Sequence, residues 1–122
     1  MVIKLDQLNG ICIVRIKGRL AAGAELEYLS TKAGEIKSLG CTKLLMDLSE
    51  VESIGSTGIG FLFDLYASIM RVPGRSFILV GANRHVREVL DLTRVTSVIP
   101  MAEDMESGLT VLRESLQKGR PA

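Results

Sequence analysis

Residues 43–60 read KLLMDLSEVESIGSTGIG, in which a short apolar run leads into a cluster of glycine and hydroxyl residues. The run Lys43–Leu48 is typical of a buried strand in a parallel sheet, which is apolar on both faces. An amphipathic helix is then predicted from about Ser56 until Arg71–Gly74, which ends it. Its apolar stripe consists of Ile59, Leu62, Phe63, Tyr66, Ile69 and Met70. A strand that passes through a glycine-rich loop into such a helix indicates an α/β fold.

Strands and helices alternate on both sides of this stretch. An antiparallel hairpin is predicted from Val2–Leu8 and Ile11–Ile16, because Asn9-Gly10 between them is a strong turn signal. The other predicted elements are a helix from Ala24 to Leu39, a strand at Phe77–Val80, a helix from Arg84 to Leu92, a strand near Val98-Ile99 and a last helix at about Glu103–Leu116. Short connections between alternating strands and helices imply mainly parallel pairing.

We therefore predict a single α/β domain over residues 1–122, with its core at about residues 2–116. The expected sheet is mixed but mainly parallel and has four or five strands. It begins with the N-terminal hairpin, and four helices pack on it.

The composition excludes several classes of protein. The chain has 122 residues, 47% of them hydrophobic, and a net charge of +1, whereas nucleic-acid-binding proteins usually carry a clear basic excess. The most apolar stretch, Ile59–Val72, contains Asp64 and Arg71 and is shorter than the about 20 apolar residues of a membrane span. The start of the chain does not resemble a signal peptide. We therefore expect a cytoplasmic protein that binds no nucleic acid and does not insert into membranes.

The glycine and hydroxyl cluster lacks the defining residues of catalytic loops. No lysine follows its glycines, as a nucleotide-phosphate loop would require, and Ile54 stands where the nucleophile elbow of a hydrolase has glycine. The carboxylates are scattered, and the single histidine, His85, has arginine neighbours. We expect no catalytic residues and no enzymatic activity. The simplest structural role of the cluster is that Ser56 or Thr57 caps the helix while the glycines permit tight packing on the sheet.

Two cysteines, Cys12 and Cys41, lie 29 positions apart. This spacing does not match a paired-ligand motif, and one histidine is too few to complete a zinc site. We interpret both cysteines as small apolar residues in or beside strands. We expect no metal and no cofactor.

Residues 46–60 resemble the central signature of STAS domains, the anti-sigma factor antagonist family. That signature has Asp-hydrophobic-Ser, a spacer that ends in a hydrophobic residue, then Asp-Ser-Ser/Thr-Gly and a helix. The similarity extends to Gly18–Leu20, Phe77–Gly81 and Val86–Leu92, so it covers nearly the whole chain. The resemblance implies a STAS-like fold and a function in protein binding that is switched by phosphorylation of one serine.

The resemblance also implies which residues carry that function. Ser56 is the expected phosphoacceptor, with Thr57 as the second choice, and Asp47 is expected to order the loop. The expected partner-binding residues are Gly55, Ser56, Thr57, Gly58 and Ile59. A phosphate at the start of a helix suits the positive end of the helix dipole but would repel a partner packed over it. Phosphorylation is therefore expected to release the partner without unfolding the domain.

Three positions depart from the family pattern. Gly55 stands where the family usually has aspartate, Ala21 where an acid commonly follows the turn, and Arg94 where a glycine is frequent. The first two departures remove acidic groups close to the expected switch surface, and they leave the fold prediction unchanged.

The partners implied by the resemblance are an anti-sigma factor with serine kinase activity and a serine phosphatase, acting on a monomer or weak dimer. Other functions stay open at this point. One is a small STAS subunit of an ABC-type lipid transport system, and another is a scaffold subunit of a stress-signalling complex. A binding module for a nucleotide or a lipid is the third.

Overall fold

The computed structural model describes residues 1–20 and 26–118. The predicted start of the first helix at Ala24 and the departure at Ala21 lie outside the described residues. The elements in chain order are β1 (Val2–Leu8), β2 (Ile11–Leu20), α1 (Leu26–Ser38), β3 (Lys43–Ile54), α2 (Ser56–Met70), β4 (Ser76–Val80), α3 (Arg84–Leu92), α4 (Val95–Val98), β5 (Met101–Ala102) and α5 (Met105–Lys118).

The strands form one five-stranded sheet in the order β1-β2-β3-β4-β5. β1 and β2 are antiparallel, and every later neighbour is parallel. Asn9 and Gly10 both have positive φ angles, 51° and 82°, as a two-residue hairpin turn of this kind requires. The mixed, mainly parallel α/β sheet with an N-terminal hairpin is confirmed.

The central strands are buried on both faces, as their unbroken apolar runs predict. In β3, Leu44 and Met46 face the larger core, whereas Leu45 between them faces the smaller one. Helices α1 to α4 contribute side chains to the larger core, and α5 contributes Leu112 to the smaller core. The successive residues of a strand point to opposite sides, so helices on both faces are needed to cover such runs.

Two strands are longer than predicted. β2 continues to Leu20 and β3 to Ile54, and these two residues are paired with each other at the end of the parallel ladder. Both extensions contain polar residues, so apolar patterning alone predicts shorter strands that end at Ile16 and Leu48. The pairing carries both strands to the point where α2 begins.

The predicted strand near Val98-Ile99 is wrong. Residues Val95–Val98 form the short helix α4, and the strand β5 follows at Met101–Ala102. The described residues therefore contain five helices, where four were predicted. Arg94 precedes α4 with a φ angle of 65°, a conformation that favours glycine, which accounts for the glycine that the family frequently has there.

The two cysteines lie in and beside strands, as interpreted, but sequence reasoning missed that they are linked. Cys12 and Cys41 form a disulfide, with their Cα atoms 6.1 Å apart. The parallel register places Ile11 opposite Lys43, so the chain entering β3 passes beside Cys12. The spacing of the two residues in the sequence contains no sign of this proximity.

Candidate functional site

The glycine and hydroxyl cluster forms the junction between β3 and α2. Gly55 has an extended backbone, with φ −126° and ψ −168°, and α2 begins at the next residue, Ser56. The Gly55 N–H donates to the Leu20 carbonyl at 2.9 Å, and the Gly55 carbonyl accepts from the Ile59 N–H at 2.9 Å. Backbone hydrogen bonds thus fix the start of α2 to the carboxyl end of β2.

The helix start has no side-chain cap. Gly55 occupies the capping position, and within the described part of the chain no side chain accepts a hydrogen bond as a cap of α2. The prediction that Ser56 or Thr57 caps this helix is wrong, because both residues already have helical backbone. A capping residue needs the extended conformation that Gly55 has taken. The Ser56 side chain is exposed and that of Thr57 is half-buried.

The first turn of α2 packs closely on β2 because of Gly58. A Cβ atom on Gly58 would lie 2.7 Å from Cγ1 of Ile54 and 2.9 Å from Cβ of Leu20, and it would also overlap the Leu20 carbonyl oxygen. A Cβ atom on Gly60 would have nothing within 4 Å. Tight packing therefore requires the first of these two glycines and not the second.

A groove of about 540 Å³ lies between α1 and α2 and includes the helix start. We call it the α1–α2 groove. Ser56 and Thr57 line it together with the largely buried side chains of Leu29 and Phe61, and other lining residues include Ala33, Lys37 and Asp64. The exposed hydroxyl of the predicted phosphoacceptor thus lies on a groove that has both apolar and polar lining residues.

Asp47 lies on the other side of the sheet. It alternates with Leu48, which faces the larger core, so its side chain projects from the face that α5 partly covers. Its Oδ1 accepts from the Ser49 N–H at 2.9 Å, and its Oδ2 is 3.9 Å from Nε of Arg15. The structure therefore does not bring Asp47 together with Ser56. Because β3 continues to Ile54, Asp47 lies within the strand and not at its end, and its expected role in ordering the loop stays a prediction.

Sequence reasoning missed Asn83, which lies next to this junction. Its Oδ1 accepts from the Val86 N–H at 2.8 Å and caps α3, while its Nδ2 donates to the Val51 carbonyl at 3.0 Å. Asn83 thereby joins the start of α3 to the last part of β3. An asparagine directly before an apolar helical pattern was the available signal.

Two side chains in or next to helices have shifted pKa values. The pKa of Lys32 in α1 is raised, mainly by its hydrogen bond to Glu35, whose carboxylate lies 3.0 Å away. The pKa of Asp104 is lowered because its carboxylate accepts the Ser107 N–H at 2.8 Å at the start of α5. Both groups are at the surface and neither lines the α1–α2 groove.

Residues 1–20 and 26–118 contain neither a candidate metal site nor a candidate membrane-spanning helix. In this part of the chain, no three His, Cys, Asp or Glu side chains are grouped so that they could hold a metal ion. None of the helices in the same residues combines the length and apolarity that crossing a bilayer would require.

Comparisons with known proteins agree with this architecture. The model of the STAS domain family matches residues 2–108. A Bordetella bronchiseptica protein, BtrV, which is named as a candidate anti-sigma factor antagonist, is 23% identical over 118 residues, or 97% of this chain and 100% of that protein.

Two solved structures show the likeness in fold. An anti-sigma factor antagonist from Mycobacterium paratuberculosis gives a TM-score of 0.84 at 22% identity, covering 92% of this chain and 93% of that one. The Bacillus cell fate determinant SpoIIAA in its phosphorylated form gives a TM-score of 0.65 at 16% identity. The match covers 98% of this chain and 100% of that one. The family match spans most of the 122 residues, so the chain belongs to the STAS domain family.

Proposed function

We propose that this protein is an anti-sigma factor antagonist of the bacterial cytoplasm, a non-enzymatic switch that binds an anti-sigma factor. In this proposal the anti-sigma factor is also a serine kinase, and it phosphorylates Ser56 when the two proteins are bound. Phosphorylation releases the partner, and a serine phosphatase restores the binding form. The observation that carries the proposal is the exposed Ser56 hydroxyl at the uncapped start of α2, on the rim of the α1–α2 groove.

The position of Ser56 suits a phosphoacceptor. Its side chain is exposed, so a kinase can reach it without unfolding the domain. Thr57 is half-buried and ranks second for that reason. The relative SpoIIAA was solved in a phosphorylated form, so a STAS fold can carry a phosphate.

The helix start can accommodate the phosphate that the proposal requires. A phosphoserine carries about −1.5 to −2 charges at neutral pH, and the positive end of a helix dipole stabilises negative charge. Gly55 has no side chain that would compete for the first amides of α2 or repel the phosphate. A partner packed over the same turn would instead have to bury this charge, which is costly. Release therefore needs no change of fold.

The partner surface in this proposal consists of the junction and the adjoining groove. Gly55, Ser56, Thr57 and Ile59 are at least partly exposed and can contact a partner. Gly58 is buried against Leu20, so it acts by setting the position of the turn. The groove walls beside these residues have both apolar and polar side chains, as the surfaces that protein partners cover usually do.

Co-purification of the tagged protein from its own cells, with partners identified by mass spectrometry, is the first test. Recovery of a serine kinase of the anti-sigma type supports the proposal. Recovery of an ATPase and a permease would contradict it and assign the chain to lipid transport.

Phosphate mapping with the recovered kinase then tests the site. Ser56→Ala should abolish incorporation of phosphate, whereas Ser53→Ala, which removes a hydroxyl from the same peptide, should not change it. Ser56→Glu should weaken partner binding by about tenfold or more, whereas Thr31→Glu, which adds the same charge on an exposed part of α1 away from the groove, should not. Phosphate found only outside residues 53–60 would refute the site.

A further inference from the structure

The disulfide joins two parts of the chain with different exposure. Cys12 lies in β2, 2% exposed, within the larger core that α1 and α2 cover. Cys41 follows α1 and is half-buried, so solvent reaches its side of the bond. The Cα separation of 6.1 Å is within the range that a disulfide bridges, about 4.4 to 6.8 Å.

Cys41 lies directly after the turn that ends α1, the helix that forms one wall of the groove. α1 ends in a turn in which the Leu39 N–H donates to the Ile36 carbonyl at 3.2 Å and the Gly40 N–H donates to the Lys37 carbonyl at 3.3 Å. Gly40 has a φ angle of 64°, the usual conformation for closing a helix. Lys37 lines the α1–α2 groove and Cys41 follows it by four residues, so this closed turn connects the disulfide to the groove wall along the chain.

The other end of α1 has an anchor of its own. The Ile3 N–H donates to the Tyr28 hydroxyl at 2.9 Å, which joins the first turns of α1 to β1. Ile36 near the end of α1 is 2% exposed in the larger core, so breaking the disulfide would release mainly the residues that follow Ile36. The groove would change most at the end that contains Lys37.

We propose that Cys12 and Cys41 form a reversible redox site that controls how firmly the α1 wall of the groove is held beside the partner surface. The regulatory part of this inference rests on the proposed function, because it takes the groove as part of the partner surface. The oxidised form holds the groove pre-organised and binds the partner more tightly, and the reduced form leaves the last turn of α1 mobile. Disulfides of cytosolic proteins are mostly of this transient, redox-sensing kind.

Both redox states are compatible with the fold. A reduced cysteine behaves as a small apolar residue. The Cys12 thiol would remain in the larger core opposite Leu44, and its Sγ already accepts a hydrogen bond from Nε2 of Gln7 at 3.7 Å. Reduction is therefore expected to loosen one turn and not to unfold the domain.

The chemistry is thiol–disulfide exchange with a low-molecular-weight thiol. Its thiolate attacks Sγ of Cys41, the more exposed sulfur, and Cys12 leaves as a thiolate that takes up a proton. A second small thiolate attacks the small-molecule sulfur of the mixed disulfide, and Cys41 leaves and is protonated in turn. In sum, the protein disulfide and two small thiols give two protein thiols and one small disulfide. The low-molecular-weight disulfide is the oxidant in the reverse direction.

Thiol counting in glutathione buffers tests the redox site. The full chain is equilibrated at a series of ratios of reduced to oxidised glutathione and quenched with acid. It is then alkylated in denaturant, so that the buried Cys12 thiol also reacts, and weighed intact. The expected result is one transition from an unlabelled protein to a protein with two labels. Two labels at every ratio would show that no disulfide forms, and no label in excess dithiothreitol would show a permanent bond. Either result would overturn the proposal.

Hydrogen exchange and melting test the structural consequence. In the reduced form, amides within residues 33–42 should exchange about tenfold faster or more, while those within 105–114 in α5 should not change. The melting temperature should fall by about 10 °C. Cys41→Ser should match the reduced protein in both oxidising and reducing buffers. Equal exchange at 33–42 in the two redox states would overturn the coupling to the groove.

Failure of the proposed function can be told apart from failure of this inference. Thiol counting and hydrogen exchange need no partner, so they report on the redox site alone. With the recovered kinase, the oxidised wild type should bind several-fold more tightly than Cys41→Ser. Equal affinity would remove the regulatory role. A redox transition without phosphorylation of Ser56 would instead refute the proposed function.

Discussion

Helices α2 and α3 both follow a parallel strand at the same edge of the sheet, yet their first turns are held in different ways. The side chain of Asn83 caps α3 and also donates to the backbone of β3. α2 has a glycine in the same position and no side-chain cap from the described residues. Its first turn is held by backbone hydrogen bonds of Gly55 and by the close approach of Gly58 to Leu20.

This difference separates two requirements of a helix start. A side-chain cap satisfies the first amides of a helix and at the same time covers them. Fixing α2 through backbone contacts positions the helix and leaves its end accessible. In the proposed function, this accessible end is where a phosphate and a partner compete.

The largest expected effect on stability comes from disrupting the close approach of α2 to β2 at Gly58. Gly58→Ala should lower the free energy of unfolding by about 3 kcal/mol, because the added methyl group would overlap the rigid Leu20 carbonyl. Gly60→Ala, two residues further on, meets no atoms and should raise it by up to about 1 kcal/mol through helix propensity. Urea unfolding measures both. Equal effects of the two substitutions would mean that α2 is not held through Gly58.

The next effect comes from removing the side-chain cap of α3. Asn83→Ala should lower the free energy of unfolding by about 2 kcal/mol, since it loses the cap and the hydrogen bond to Val51. Asn83→Asp keeps the capping oxygen but not the donor, so it should lie between the alanine variant and the wild type in the same measurement. An Asn83→Ala variant with the same free energy of unfolding as the wild type would contradict the contrast between the two helix starts.

A smaller effect is expected from giving α2 a cap like that of α3. Gly55 has the extended backbone of a capping residue, so Gly55→Asp should raise the free energy of unfolding by about 0.5 kcal/mol. It should also protect the first amides of α2 from hydrogen exchange. Gly55→Ala adds a side chain that cannot cap and should be slightly destabilising. If Gly55→Asp and Gly55→Ala have the same free energy of unfolding, a side-chain cap would add no stability at the start of α2.

The smallest expected effect is on the pH dependence of stability, and it concerns Asp104, the charged residue that caps α5. The lowered pKa of Asp104 means that its carboxylate stabilises the folded state above the ordinary pKa of aspartate, about 3.9. This stabilisation is lost as the pH falls through the lowered value. Melting curves between about pH 5 and pH 2 should therefore show a shallower acid loss for Asp104→Asn than for the wild type. Asn83 does not titrate, so Asn83→Ala should leave the slope unchanged, and identical slopes for all three proteins would contradict this assignment.

Local patterns in the sequence were sufficient for most of the elements. The bounds of β1 and α3 and the start of α2 agree with the prediction, because a hairpin turn and helical periodicity are properties of short stretches. The resemblance to the STAS family also rests mainly on one short stretch, residues 46–60. The cap of α2 was misplaced by one residue, since hydrogen bonding between Gly55 and Leu20 decides where the helix begins.

Apolar periodicity and turn residues thus specified the α/β class, the order of most elements and the segment in which the candidate site lies. Tertiary contacts alone decided the extension of β2 and β3, the α1–α2 groove and the pairing of Cys12 with Cys41. They also decided that Asp47 and Ser56 lie on opposite faces of the sheet. The physical reason is that each of these features depends on the register or distance between segments far apart in the chain, and side-chain periodicity within one segment carries no information about either.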